Sequence, residues 1–166
     1  MKLICGGEKT SVTITVTVPL TVAPPMVLTL TETMAGNGEA KALQPTLPIL
    51  PIADQHHFVA GITYHSYSEL VLFPYGYSTG AFAPDHTSLQ ALAVSMANTI
   101  PAEGGGYYTP DKSSGLYPAS GVTDDYAYGE HGIFSYTIEL GTEFIPPAAE
   151  ISSMCQNNLQ AALILL

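Results

Sequence analysis

Two side chains stand where an apolar segment ends and chemistry can begin. His65 directly follows Phe58-Val59-Ala60-Gly61-Ile62-Thr63-Tyr64, and Glu139 closes Phe134-Ser135-Tyr136-Thr137-Ile138. In α/β sheets ligand sites gather where strands end. An imidazole placed there can ligate a metal or move a proton near neutral pH. A carboxylate at the end of a buried strand is costly unless it is paired, ligated or catalytic. A bland reading stands beside each: a histidine bonded within its own loop, and a strand-end glutamate pointing at water. Asp124-Asp125 follows Gly121 in a turn-rich loop, with Tyr117 just upstream, and by residue type alone reads as a solvated acidic turn. His56-His57, His86 and His131 share no metal-ligand spacing and read as surface residues. His65-x-x-x-Glu69 has a helical chelate spacing, but Tyr67 and the Leu70–Phe73 run argue for strand there.

The elements that must position these residues are legible in the second two-thirds of the chain. Phe58–Tyr64 and Leu70–Phe73 read as buried strands. Asp85 is placed to cap a helix over His86–Ile100, whose apolar face comprises Leu89, Leu92, Val94, Met96 and Ile100. Gly104-Gly105-Gly106 interrupts the chain, and Gly132–Glu139 reads as a third strand. After Pro146-Pro147 a terminal helix puts Ile151, Met154, Cys155, Leu159, Ala162, Leu163 and Leu166 on one stripe. The mixture predicts an α/β fold, a mixed sheet with helices on both faces. Upstream the texture differs. Ser11–Val18 alternates as a half-buried or edge strand would, and Pro19, Pro24, Pro25, Pro45, Pro48 and Pro51 then punctuate a stretch with no helical period.

The chain has 166 residues, enough for one modest domain with a core. Hydrophobic residues make up 46% and charged residues 11%, against about 25% in ordinary soluble domains. Four lysines and no arginine face 14 acids, a formal charge of −10. Nothing here neutralises a row of phosphates, which excludes nucleic acid as a partner. No apolar run is long enough for a membrane span. Met1–Gly7, with one lysine and no long apolar stretch, does not read as a secretory leader. Cys5 and Cys155 set neither a zinc knuckle nor a disulfide framework.

Three stretches taken together resemble the zinc carboxypeptidases of the carboxypeptidase A/B and bacterial carboxypeptidase T type. They are His65-Ser66-Tyr67-Ser68-Glu69-Leu70 running into Phe73-Pro74-Tyr75-Gly76-Tyr77, Leu116–Gly121 running into Asp125-Tyr126-Ala127-Tyr128-Gly129, and Gly132–Leu140. The resemblance covers residues 56–166 and implies the C-terminal half of a carboxypeptidase-like α/β/α catalytic domain, here incomplete. It implies His65 as a zinc ligand and Glu139 as the general base on zinc-bound water. It further implies Tyr117 as the mobile tyrosine over the substrate, and Asp124 at the base of the pocket for the terminal side chain, an acid there favouring C-terminal Lys or Arg. The implied cofactor is Zn2+, the substrate a peptide or protein C-terminus, and the setting of the intact parent extracellular. Tyr126 stands where the family commonly has tryptophan. The zinc site of carboxypeptidase A has two histidines and a glutamate, yet no His-x-x-Glu pair occurs in this chain, and residues 1–55 contain no histidine. The arginines that clamp the substrate carboxylate in that family are also absent. The expectation is a truncated, inactive form of a metallocarboxypeptidase; the alternative is a non-catalytic fragment that binds a peptide or partner.

Residues 1–55 are set apart as a segment of doubtful structure, and a shifted reading frame over residues 5–55 accounts for them. One allowed coding of Met26–Gly38, read from the last base of its first codon, yields Gly-Val-Asp-Leu-Asn-Arg-Asn-Tyr-Gly-Trp-Gln-Trp, which resembles the family's Asp-Leu-Asn-Arg-Asn segment. Apart from the alternative codons of Leu28 and Leu30, the middle base of each shifted codon is dictated by the protein sequence, so the agreement is not free. The rival is a genuine, divergent N-terminal segment.

Overall fold

The computed structural model describes residues 58–165, together with the backbone of two strands nearer the N-terminus. Those two, β1 (Lys2–Glu8) and β2 (Ser11–Thr17), pair antiparallel from Lys2↔Thr17 to Glu8↔Ser11. The Thr/Val alternation expected to make a strand over Ser11–Val18 forms β2. The proline-punctuated stretch, Met26–Gly38 and His56-His57 lie outside the described residues.

The main sheet has four strands in the order β3-β6-β4-β5: β3 (Ala60–His65), β4 (Leu70–Phe73), β5 (Thr109–Lys112) and β6 (Phe134–Glu139). β3 runs parallel to β6 and β4 parallel to β5, while β4 and β6 are antiparallel, so the sheet is mixed as expected. Between β4 and β5 the chain crosses over through helix α1 (His86–Ala97), the route a parallel pair requires. β5 went unread in the sequence. Its Thr-Pro-Asp-Lys has no apolar alternation, and Pro110 is tolerated because β5 lies at the sheet edge.

The pleat divides β6 into two faces. Tyr136 and Ile138, with Ile62, Tyr64 and Val71 from neighbouring strands, face α1 and the C-terminal helix α4 (Ala148–Ile164). Leu89, Ala93, Met96, Ala97 and Ile100 fill the α1 side, and Met154, Cys155 and Ala161 the α4 side. The opposite face carries Thr63, Ser135 and Glu139, which are also buried. Asn158, on the buried stripe of α4, is fully enclosed and donates through Nδ2 to the Met154 carbonyl at 3.0 Å.

Three local expectations are corrected. Asp85 sits at the N-cap of α1 but makes no capping bond; its carboxylate accepts the Tyr128 hydroxyl at 2.8 Å, a longer-range tie to α3 (Thr123–His131). Val94, assigned to the apolar face, is 39% exposed. Gly132 does not begin the third strand. It ends α3 in the left-handed region, φ 67°, with Gly132 N–H on the Tyr128 carbonyl and Ile133 N–H on the Ala127 carbonyl, a Schellman closure that favours glycine.

Burial ranks two apolar positions of α1. Leu89→Ala, at a fully buried site, is expected to cost about 2–5 kcal/mol of unfolding free energy, and Val94→Ala well under about 1 kcal/mol. Urea unfolding of both variants checks the order; equal losses would contradict this packing.

Candidate active site

His65 and Glu139, 74 positions apart in the chain, are register partners at the last residues of β3 and β6. Parallel pairing brings them level, and partners in register project to the same face of a sheet. The ladder continues one step, with Leu140 N–H donating to the His65 carbonyl at 2.8 Å. On its other side Glu139 pairs with Leu70, so the carboxylate sits on the central strand and is buried. Below it on the same face, the Thr63 and Thr137 hydroxyls bond at 2.8 Å.

The two loops beyond these strand ends are tied together. Ser68 N–H donates to the Gly141 carbonyl at 3.0 Å, and Ser66 Oγ to the Phe144 carbonyl at 3.2 Å. The Tyr67 and Phe144 rings meet edge-on at 4.7 Å. Tyr108 enters from the turn before β5, its hydroxyl accepting the Gly141 N–H at 2.9 Å. The helical chelate spacing of His65 and Glu69 is not realised: His65 ends a strand, and Glu69 Oε1 accepts the Glu103 N–H at 2.7 Å.

Asp124 belongs to a second cluster. It is no solvated turn but lies in the first turn of α3, 1% exposed, with Oδ2 at 2.5 Å from Ser113 Oγ. Burial pushes its carboxyl up to about 6, against the opposing pull of the Ser113 bond, and the neighbouring Asp125 adds to the rise. Asp125 is also raised by burial, while the Gly76 and Tyr77 N–H groups it accepts pull the other way. Tyr117 ends the short helix α2 (Ser113–Leu116) in extended backbone, 64% exposed, and its loop is held where Ala119 N–H meets the Gly76 carbonyl at 3.0 Å. The structure thus joins His65 to Glu139 by strand register, and Asp124 to Ser113 by a hydrogen bond.

His86 and His131 take structural places. His86 is not a plain surface residue: its ring lies 5.5 Å from Phe73 and 4.9 Å from Phe82. His131 Nε2 lies 3.2 Å from the Tyr126 hydroxyl at the end of α3. Among the described residues no three His, Cys, Asp or Glu side chains converge as metal donors. His65 alone does not fit the donor set of a catalytic zinc, which needs three protein ligands. Ser113, Lys112 and Tyr108 were missed as candidates; only Lys112 carried a sequence signal, as the single cation among ten acids after residue 55.

Asp124 sets a pH dependence opposite to that of a paired surface acid. Its folded value lies above the ordinary one, so the native state keeps a proton the unfolded chain has lost. Stability from this group is therefore full below about pH 4 and declines as pH rises towards about 6, by up to about 3 kcal/mol. Urea unfolding between pH 3.5 and 7 is expected to show that decline, and Asp124→Asn to remove it. An unchanged slope in the variant would contradict the buried placement.

The family model described as zinc carboxypeptidase matches residues 33–161. The chain is 34% identical over 115 residues to zinc carboxypeptidase A 1 of Anopheles gambiae, covering 64% of this chain and 26% of that protein. With carboxypeptidase A1 of Bos taurus it shares 32% over 120 residues, covering 69% of this chain and 28% of the relative. The chain therefore spans between a quarter and a third of the length of these relatives. The structure of bovine thrombin-activatable fibrinolysis inhibitor, in complex with tick carboxypeptidase inhibitor, superposes with a TM-score of 0.61 at 29% identity, over 70% of this chain and 41% of that one. An α/β sheet of this topology, with His65 and Glu139 level at its strand ends and a family match over most of its length, makes this chain a member of the zinc carboxypeptidase family.

Proposed function

We propose that this chain carries part of the active site of a zinc metallocarboxypeptidase that removes C-terminal residues, secreted in its parent form. The observation that supports it most is the register of His65 with Glu139, which sets an imidazole and a carboxylate side by side at the mouth of the sheet. In this reading His65 is a zinc ligand, Glu139 is the general base, and Tyr117 closes over the substrate. A positioned carboxylate in that role contributes about 10²–10⁴-fold to rate. Asp124, the buried acid beside Ser113, receives the terminal side chain and turns preference toward Lys or Arg.

By itself the chain does not hydrolyse peptides. It has no His-x-x-Glu pair and no arginine to hold a substrate carboxylate. With equimolar zinc, release of lysine from hippuryl-lysine is expected to match the protein-free zinc control. Sustained release abolished by a chelator would overturn this inactivity.

The missing groups are accounted for by residues 5–55 being read out of frame. A second reading, a genuine N-terminal segment, draws support from the family match, which begins at residue 33 inside that stretch. The coding DNA through His65, translated in all three frames, separates them. The expected outcome is an Asn-Arg segment in the alternate frame across Met26–Gly38; a single clean frame with no such segment would overturn the shift.

A further inference from the structure

The loop from Pro74 to Phe82 is held at its two ends by side chains of opposite charge. At its start, the Asp125 carboxylate accepts Gly76 N–H at 2.7 Å and Tyr77 N–H at 3.0 Å. Toward its end, the Lys112 ammonium donates to the carbonyls of Thr79 at 2.5 Å, Ala81 at 2.8 Å and Ser78 at 3.4 Å. The same ammonium lies 4.1 Å from the centre of the Phe82 ring. An anion thus gathers amides and a cation gathers carbonyls of one short loop, and charged partners make the stronger hydrogen bonds. Lys112 is the single Lys or Arg in residues 58–165, which hold ten acids. Among the described residues it is engaged by carbonyl oxygens and a ring rather than by a carboxylate.

The residues next to these two clamps join them. Lys112 precedes Ser113, Asp125 follows Asp124, and Ser113 Oγ lies within reach of both Asp124 Oδ2 and the Phe73 carbonyl, 2.5 and 3.1 Å away. Gly76 leaves no room for drift: a Cβ there would meet Ser113 Cβ at 3.1 Å and Val122 Cγ2 at 3.2 Å. We propose that Lys112 and Asp125 are positioning residues that hold loop 74–82 from opposite ends against the Ser113–Asp124 pair. The assignment deepens, and rests on, the reading of Asp124 as the receiver of the terminal side chain. The loop then forms the wall beside that carboxyl, and its placement is set by two charges that never touch the substrate.

Each clamp is tested at the other's end, by amide hydrogen exchange on the full chain. Lys112→Met keeps the apolar stem and removes the ammonium; exchange at Gly76 and Tyr77 is expected to rise at least tenfold. Lys112→Cys alkylated with 2-bromoethylamine returns an ammonium at similar reach and is expected to restore protection, with the alkylated unaltered chain as control. Acceleration confined to Gly80 and Ala81, with Gly76 and Tyr77 unmoved, would overturn the proposal. Should Lys112→Met fail to fold, Asp125→Asn decides, since loss of that clamp must speed exchange at Ala81, and an unchanged Ala81 overturns the proposal equally. Millimolar n-butylammonium, a mimic of the lysine side chain, is expected to shift the Ser113 and Asp124 resonances of the unaltered chain. No shift would overturn the pocket reading of Asp124 alone, with the clamp then judged by the exchange data.

Discussion

The parallel pairing of β3 with β6 is the constraint on which the rest of this molecule depends. A parallel ladder cannot be closed by a tight turn, so the chain must travel through β4, α1, β5, α2 and α3 before β6 returns beside β3. That route is what brings residues 65 and 139 level. It also sends the connecting loops to the strand ends, where Ser66, Ser68, Gly141 and Phe144 interlock. A slip of one residue in the register would turn Glu139 to the face packed by Leu89, Met96 and Ile100, and turn Tyr136 and Ile138 off it. The apolar packing of Tyr136 and Ile138 therefore fixes where the carboxylate stands.

The second organising force is the imbalance of charge. Residues 58–165 hold ten acids and one lysine, so most carboxylates cannot find a cation. The fold satisfies several of them with hydroxyl and amide donors instead: Ser113 for Asp124, Gly76 and Tyr77 for Asp125, Tyr128 for Asp85. Neutral donors offset burial only in part, which is why Asp124 keeps its proton to a higher pH than an exposed acid would.

Membership of the zinc carboxypeptidase family is compatible with the finding that, among the described residues, no three metal donors converge. The family match covers residues 33–161, while a His-x-x-Glu pair and arginine occur nowhere in this sequence. The sheet that aligns His65 and Glu139 is packed without them, its core of Leu89, Met96, Ile100, Tyr136 and Ile138 coming from the described elements themselves.

The sequence by itself determined the existence, though not the ends, of the elements whose local signals are strong: β3, β4, the body of α1, β6 and α4, all marked by apolar runs or helical periodicity. The motifs around His65, Tyr117, Asp124 and Glu139 carried the family resemblance unaided. β5 was not legible, because an edge strand such as Thr109–Lys112 is held by its neighbour's backbone and needs no apolar pattern. Asp124 read as a solvated acid, because nothing local to it announces that α3 will fold it against Ser113. Lys112 was visible as a lone cation, but its engagement of the Ser78, Thr79 and Ala81 carbonyls arises only when loop 74–82 closes over it. Local periodicity and motif chemistry are written along the chain. Register, burial and the partner of each charge depend on residues far apart in it, and only the tertiary structure brings those together.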